Sequence, residues 1–114
     1  MGSTSGYLQR LQVKIGDRIL LVNVDEIIRF QSEEKYTTVY TLSGQHVIDT
    51  PLVDLEKKLD PRQFVRIHRA HLVAIDYIAE IRKTDMSRLS VVLRDKDRTQ
   101  LLVSRNFVKK VRSL

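Results

Sequence analysis

Cysteine is absent from this 114-residue chain, which excludes a disulfide framework and any thiolate metal centre. No apolar run approaches the roughly 18 residues that a membrane-spanning helix needs, and no secretory leader is recognisable. Glycine occurs four times, too sparsely for a Gly-rich phosphate loop. Tryptophan is missing, and the four tyrosines and three phenylalanines fall mostly where core is expected. Few aromatics are left to stack on unpaired bases, which argues against an RNA-binding sheet. The three histidines stand in no spacing with serine and acid that resembles a nucleophile motif. His68 and His71 form an H-x-x-H, but metal sites add a third ligand and a helix, and the flanking pattern here is extended. Asp95 and Asp97 in "RDKDR" read as solvent-facing loop carboxylates rather than cation ligands. No enzyme, metal, cofactor or membrane role is expected, and the cytoplasm is the compartment these absences fit.

What the chain does carry is charge, unevenly placed. Charged residues make up 30% and hydrophobic ones 42%, the balance of a folded domain with one core. Residues 1–57 hold six Lys and Arg against eight Asp and Glu; residues 58–114 hold fourteen against six. A near-neutral half joined to a strongly basic one points to a polyanion-facing surface, and nucleic acid is the commonest polyanion. The rival from another class is a protein-interaction module whose basic surface meets an acidic partner.

Period-two patterns dominate. "QVKI" (12–15) and "RILLVN" (18–23) flank "GD", a two-residue hairpin signal. "IIRFQS" (27–32), "YTTVYTL" (36–42) and "QHVIDT" (45–50) follow, with "SG" (43–44) expected as the turn between the last two. "YIAEIRK" (77–83), "RLSVVLR" (88–94) and "TQLLVS" (99–104) read as three more strands, turning through "TDMS" (84–87) and "DKDR" (95–98). Two segments break the rhythm. In "TPLVDLEKKLDP", Thr50 as N-cap, Pro51 at the first helical position and Leu52, Leu55 and Leu59 at helical spacing predict a helix over about 51–59. In "SRNFVKKVRSL", Ser104 as cap and the stripe Phe107, Val108, Val111 and Leu114 predict a short C-terminal helix opened by Arg105 and Asn106. The opening "MGSTSG" (1–6) has no apolar periodicity and reads as an expression scar, residues 7–11 as a linker remnant, and 12–114 as the domain.

The densest stretch is "FVRIHRAHLVAI" (64–75), where Arg66, His68, Arg69 and His71 interrupt an apolar run. On a strand, Val65 and Ile67 share one face and Arg66 and His68 the other, with Arg69, Ala70 and His71 in a bend. Two readings stand: the apolar residues anchor a loop whose cations face a ligand, or Arg66 pairs with a carboxylate and His68 is a satisfied half-buried imidazole. "LLVSRNFVKK" repeats the device, since a strand feeds a turn carrying Arg105 and Asn106, the side chains best suited to guanine and adenine edges. "SEEKYTT" (32–38) is a third polar site between strands. Three such loops on a β scaffold point to groove reading by loops.

With these residues in view, the chain resembles the LytTR DNA-binding domain, the output module of many bacterial response regulators in two-component systems. The likeness runs through "VDEIIRFQSEEKYTTVYT" (24–41), "TPLVDLEKKLDPRQFVRIHRAHLVAIDYIAEI" (50–81) and "LLVSRN" (101–106). Its centre is Phe64-x-Arg66-x-His68-Arg69 followed by Leu72-Val73 and Ile78, and it closes on Val103-Ser104-Arg105. The family commonly has serine where Ala70 stands and asparagine where Ala74 stands. The resemblance implies a mainly β fold: short antiparallel strands in three small sheets, forming an elongated β-sandwich with a short helix. It implies sequence-specific binding of double-stranded DNA in transcription regulation, with loops entering successive major grooves, often at paired direct repeats. It places base reading at Thr37, Arg69 and Arg105. Lys35, Arg66, His68, Asn106, Lys109 and Lys110 are expected to hold the DNA backbone or orient the loops. It also implies an N-terminal receiver domain in the full-length protein.

Overall fold

The computed structural model describes residues 6–84 and 86–114, so Asp85 in the expected turn at 84–87, and all but Gly6 of the expected scar, lie outside the described residues. Among the described residues, ten strands form three antiparallel sheets. The first is a hairpin of β1 (Arg10–Ile15) and β2 (Arg18–Asn23), closed by Gly16 and Asp17. Gly16 adopts φ +61, a left-handed conformation that glycine enters without strain. The central sheet contains β3 (Ile27–Ser32), β4 (Thr37–Thr41), β5 (Gly44–Ile48), β6 (Phe64–His68) and β7 (His71–Ala74), in the order β5-β4-β3-β7-β6. The third has the order β10-β9-β8, from β8 (Ile78–Lys83), β9 (Leu89–Leu93) and β10 (Gln100–Leu102).

The central sheet is covered on both faces, which explains its near-continuous apolar strands. Phe30, Val39, Phe64, Leu72 and Ala74 join Leu11, Val13 and Val22 of the hairpin and Leu52, Leu55 and Leu59 in one core. Val65, Ile67 and Val73 point the other way, into a second core with Val91, Leu93, Leu101 and Val111. Alternate residues of "FVRIHRAHLVAI" therefore serve two cores, and the stacked layers give a molecule 48 × 32 × 25 Å in extent. The mainly β fold of three sheets expected from the resemblance is the one present.

Boundaries moved where backbone partners decide them. The turn expected at 43–44 falls one residue earlier, because Thr41 pairs with Gly44 and leaves Leu42 and Ser43 as the loop. Helix α1 is Leu52–Lys58, and Pro51, not Thr50, is its N-cap residue. Pro51 keeps an extended ψ of 152, so its angles are those of a cap and the first residue with helical angles is Leu52. The C-terminal segment is a 3-10 turn, Arg105–Phe107, followed by α2, Val108–Arg112, rather than one helix from Ser104. Ser104 precedes the turn without a side-chain cap bond, and Phe107 (φ −114, ψ 3) breaks the helical path between the two.

Candidate nucleic-acid interface

At one end of the central sheet β3 and β6 stop while β4 and β7 begin, so two turns lie side by side. The Ser32 N–H donates to the Ala70 carbonyl at 2.9 Å, fastening the Glu33–Tyr36 segment to the β6–β7 turn. On the opposite flank, the Ser104 N–H donates to the Ile67 carbonyl at 2.8 Å and brings the Arg105–Phe107 turn against the end of β6. The three polar segments singled out in the sequence thus converge on one end of the sheet.

The middle turn is held from inside. Arg66 donates through Nε to the His68 carbonyl at 2.9 Å and through a terminal nitrogen to the Arg69 carbonyl at 2.7 Å. Its other terminal nitrogen reaches Glu56 of α1 at 2.8 Å, with the Arg66 side chain 14% exposed. Of the two readings of Arg66, the carboxylate pair is the one in place, and its guanidinium is committed to the turn. His68 accepts the Ala70 N–H on Nδ1 at 3.0 Å, so it too orients the turn. The outcome is an exposed Arg69 on a backbone pinned at both neighbouring carbonyls.

Lys35, Arg105, Asn106, Lys109 and Lys110 are also exposed, with Lys109 and Lys110 on α2 beyond the Arg105 turn. Thr37 is not. It is 2% exposed, and its hydroxyl donates to the Thr50 carbonyl at 2.7 Å. Thr37 therefore ties the start of β4 to the entry of α1, while Lys35 and Tyr36 form the outward part of that loop.

Arg29, Gln31, Glu33 and His71 were not singled out as site residues in the sequence. Arg29 is buried at 8% exposure, with its guanidinium 3.8 Å from the Tyr40 ring centroid and 2.6 Å from the Gln31 Oε1. Gln31 in turn donates through Nε2 to Glu33 at 3.0 Å. Their signal was present in the i, i+2, i+4 spacing of Arg29, Gln31 and Glu33 along one strand face. His71 packs its ring 5.2 Å from that of His68, and burial, aided by His68 and Arg29, pulls its pKa down to about 4. It is a neutral imidazole at pH 7. No group of three or more potential metal ligands gathers among the described residues.

Three other arginines of the basic half stand apart and are paired. Arg82 and Arg98 both reach Glu80, at 2.8 and 3.0 Å, and Arg62 reaches Asp60 at 3.2 Å. The Arg82 guanidinium bonded to Glu80 holds that carboxyl below its usual range, and Arg62 does the same for Asp60.

Comparison with known proteins bears on this arrangement. Residues 17–114 match the family model described as the LytTr DNA-binding domain. The chain is 34% identical over 107 residues to the haem-containing CO-sensing transcriptional regulator RcoM 2 of Paraburkholderia xenovorans (strain LB400), covering 94% of this chain and 40% of that protein. It is 34% identical over 110 residues to the positive alginate biosynthesis regulatory protein of Pseudomonas aeruginosa, covering 96% and 44%. With the sensory transduction protein LytT of Bacillus subtilis (strain 168), identity is 30% over 105 residues, covering 92% and 43%. The chain thus spans well under half the length of these relatives. Among solved structures, a LytTr DNA-binding domain from Bacillus cereus superposes with a TM-score of 0.81 at 19% identity, covering 93% of this chain and 95% of that one. Among the described residues, no helix is long and apolar enough to cross a membrane.

Proposed function

Because the chain belongs to the LytTr DNA-binding domain family, we propose that it reads specific sites in double-stranded DNA as the output domain of a bacterial transcription regulator. The observation that carries this is the convergence of three polar segments through the Ser32–Ala70 and Ser104–Ile67 hydrogen bonds. Loops anchored this way present side chains along one face of a duplex and enter successive major grooves.

Arg69 and Arg105 are the base readers, since a guanidinium fork matches the N7 and O6 acceptors of guanine. Lys35, Asn106, Lys109 and Lys110 hold phosphates and set register. Arg66, His68 and Thr37 work from behind, shaping the loops by the bonds described. The site is bipartite, in paired direct repeats, and the working compartment is the cytoplasm. In the remaining length of the full protein sits an input unit. A receiver domain is the reading favoured by the resemblance to response regulators; a haem sensor is the second, because RcoM 2 is a haem-containing CO sensor.

Selection of binding sites from a random duplex library tests the proposal, followed by anisotropy across a salt series. The expected result is an enriched motif and a plot of log K against log salt with a slope of about −3, as for the three lysines Lys35, Lys109 and Lys110 on phosphates. No enrichment, or a slope flatter than about −2, counts against it.

A further inference from the structure

Glu33 and Glu34 are adjacent exposed acidic side chains on the loop beside the Arg69 turn, and of the two it is Glu33 that is held in place by a relay. Arg29 carries only donors, so Gln31 must turn its amide oxygen toward it. That fixes the Gln31 NH2 toward Glu33, 3.0 Å away. The polarity of the relay is therefore set by the buried Arg29, itself locked against Tyr40 at 3.8 Å. A carboxylate has two oxygens, and the relay engages one of them, Oε2. The second is available to a donor from outside, on a segment that the Ser32–Ala70 bond fastens to the Arg69 turn.

We propose that Glu33 is a specificity-determining residue, its relay-held carboxylate accepting the N4 amine of a cytosine in the major groove. The inference rests on the DNA-reading function proposed above and adds a base preference to it. In the major groove, guanine presents only acceptors and thymine an acceptor and a methyl, both of which repel or ignore a carboxylate. Adenine presents its amine beside the N7 acceptor, whereas cytosine presents the N4 amine alone. Phosphates repel Glu33 as well, so it contributes discrimination and not general affinity.

The experiment is binding-site selection with the 114-residue chain and three variants, Glu33→Ala, Glu33→Gln and Gln31→Leu, each with a melting curve beside the parent. The parent should enrich a C·G pair at a position flanking those set by Arg69. Glu33→Ala should lose that preference by about tenfold at one position only, leaving random-duplex affinity unchanged or higher. Glu33→Gln should move the preference toward adenine, whose N6 and N7 a carboxamide meets together. Gln31→Leu keeps the charge but should weaken the cytosine preference. Full retention of base preference in Glu33→Ala, with all duplexes bound more tightly, overturns the proposal: Glu33 is then a solvated charge. Retention in Gln31→Leu overturns the relay. Failure of the parent itself to enrich any motif overturns the DNA reading and this inference with it, and is visible before any variant is made.

Discussion

Two sets of arginines in the basic half of the chain meet different fates. Arg69 and Arg105 stand exposed on turns, and among the described residues neither side chain has an ion pair or a hydrogen bond. Arg62, Arg82 and Arg98 are also solvent-accessible, but each faces a carboxylate within 3.2 Å. Charge counted along the sequence weighs these sets equally. The folded molecule does not: a paired arginine presents a muted field and a fork already occupied, while an unpaired one on a fixed turn presents both charge and donors. Among the described residues Lys83 and Lys96 are exposed and unpaired as well, so what sets Arg69 and Arg105 apart is freedom from pairing together with a place on turns fastened to one end of the central sheet, and Arg66 belongs to neither set, as the internal fastener of one of those turns.

That contrast breaks most severely at Arg66. Arg66→Ala removes a charge-assisted bond to Glu56 and two bonds to turn carbonyls. It should cost about 2–3 kcal/mol of stability by denaturant titration, and DNA affinity should fall for every sequence because Arg69 loses its pinned backbone. A variant that melts normally and loses only one phosphate's worth of salt dependence would make Arg66 a DNA contact rather than a fastener.

Next come the unpaired arginines. Arg69→Ala and Arg105→Ala should each weaken the selected site by about 1–3 kcal/mol and flatten preference at one or two base pairs, with little change on random duplex. Lys109→Ala should instead weaken all duplexes alike and reduce the salt slope by about one. If Arg105→Ala scales affinity without changing base preference, Arg105 is a phosphate clamp and the division of labour fails.

Sequence patterning carried the strands, the short helix and the converging loops, because alternation, turn residues and proline act locally. The double-faced burial of "FVRIHRAHLVAI" was legible only in part. The alternation of Val65 and Ile67 with Arg66 and His68 was expected, but the second core beneath Val65, Ile67 and Val73 depends on a sheet formed later in the chain. The interior position of Thr37 and the Glu56 partner of Arg66 depend on α1 and the residues leading into it: Thr50 lies 13 residues from Thr37, and Glu56 lies ten residues from Arg66. The seating of the Arg105 turn depends on the hydrogen bond from Ser104 to Ile67, 37 positions earlier in the chain. No local signal encodes such contacts.

A pH series examines the neutral histidine beneath the middle turn. The His71 pKa is lowered from 6.5 to about 4 in the folded chain, chiefly by burial, so between those values the unfolded chain binds a proton that the folded chain refuses. Stability from this group is complete above about pH 6.5 and is lost as pH falls toward 4. The melting temperature should drop across that window, and His71→Phe should flatten the drop, since an aromatic ring keeps the packing and removes the titration. The lowered carboxyls of Asp60 and Glu80 act in the same direction but at lower pH, where their partners Arg62 and Arg82 lose the charge they face. An unchanged pH profile in His71→Phe would mean that His71 titrates alike in both states.

The smallest expected effect is the sharpest test of the comparison. Glu80→Gln removes the carboxylate that Arg82 and Arg98 share and releases two guanidinium groups on the third sheet. Exposed pairs of this kind are screened by water and contribute little, so stability should scarcely change. If the DNA-facing surface is the loop end alone, affinity for random duplex should rise less than twofold, from the general gain of one unit of net charge, with the salt slope unaltered. If the third sheet also lies against the duplex, the released arginines find phosphates and the slope steepens by about one to two. The measurement is anisotropy of parent and Glu80→Gln on one random duplex across a common salt series. A steeper slope would extend the footprint to β8 and the β9–β10 connection, and would mean that pairing conceals DNA-binding arginines instead of marking those that face elsewhere.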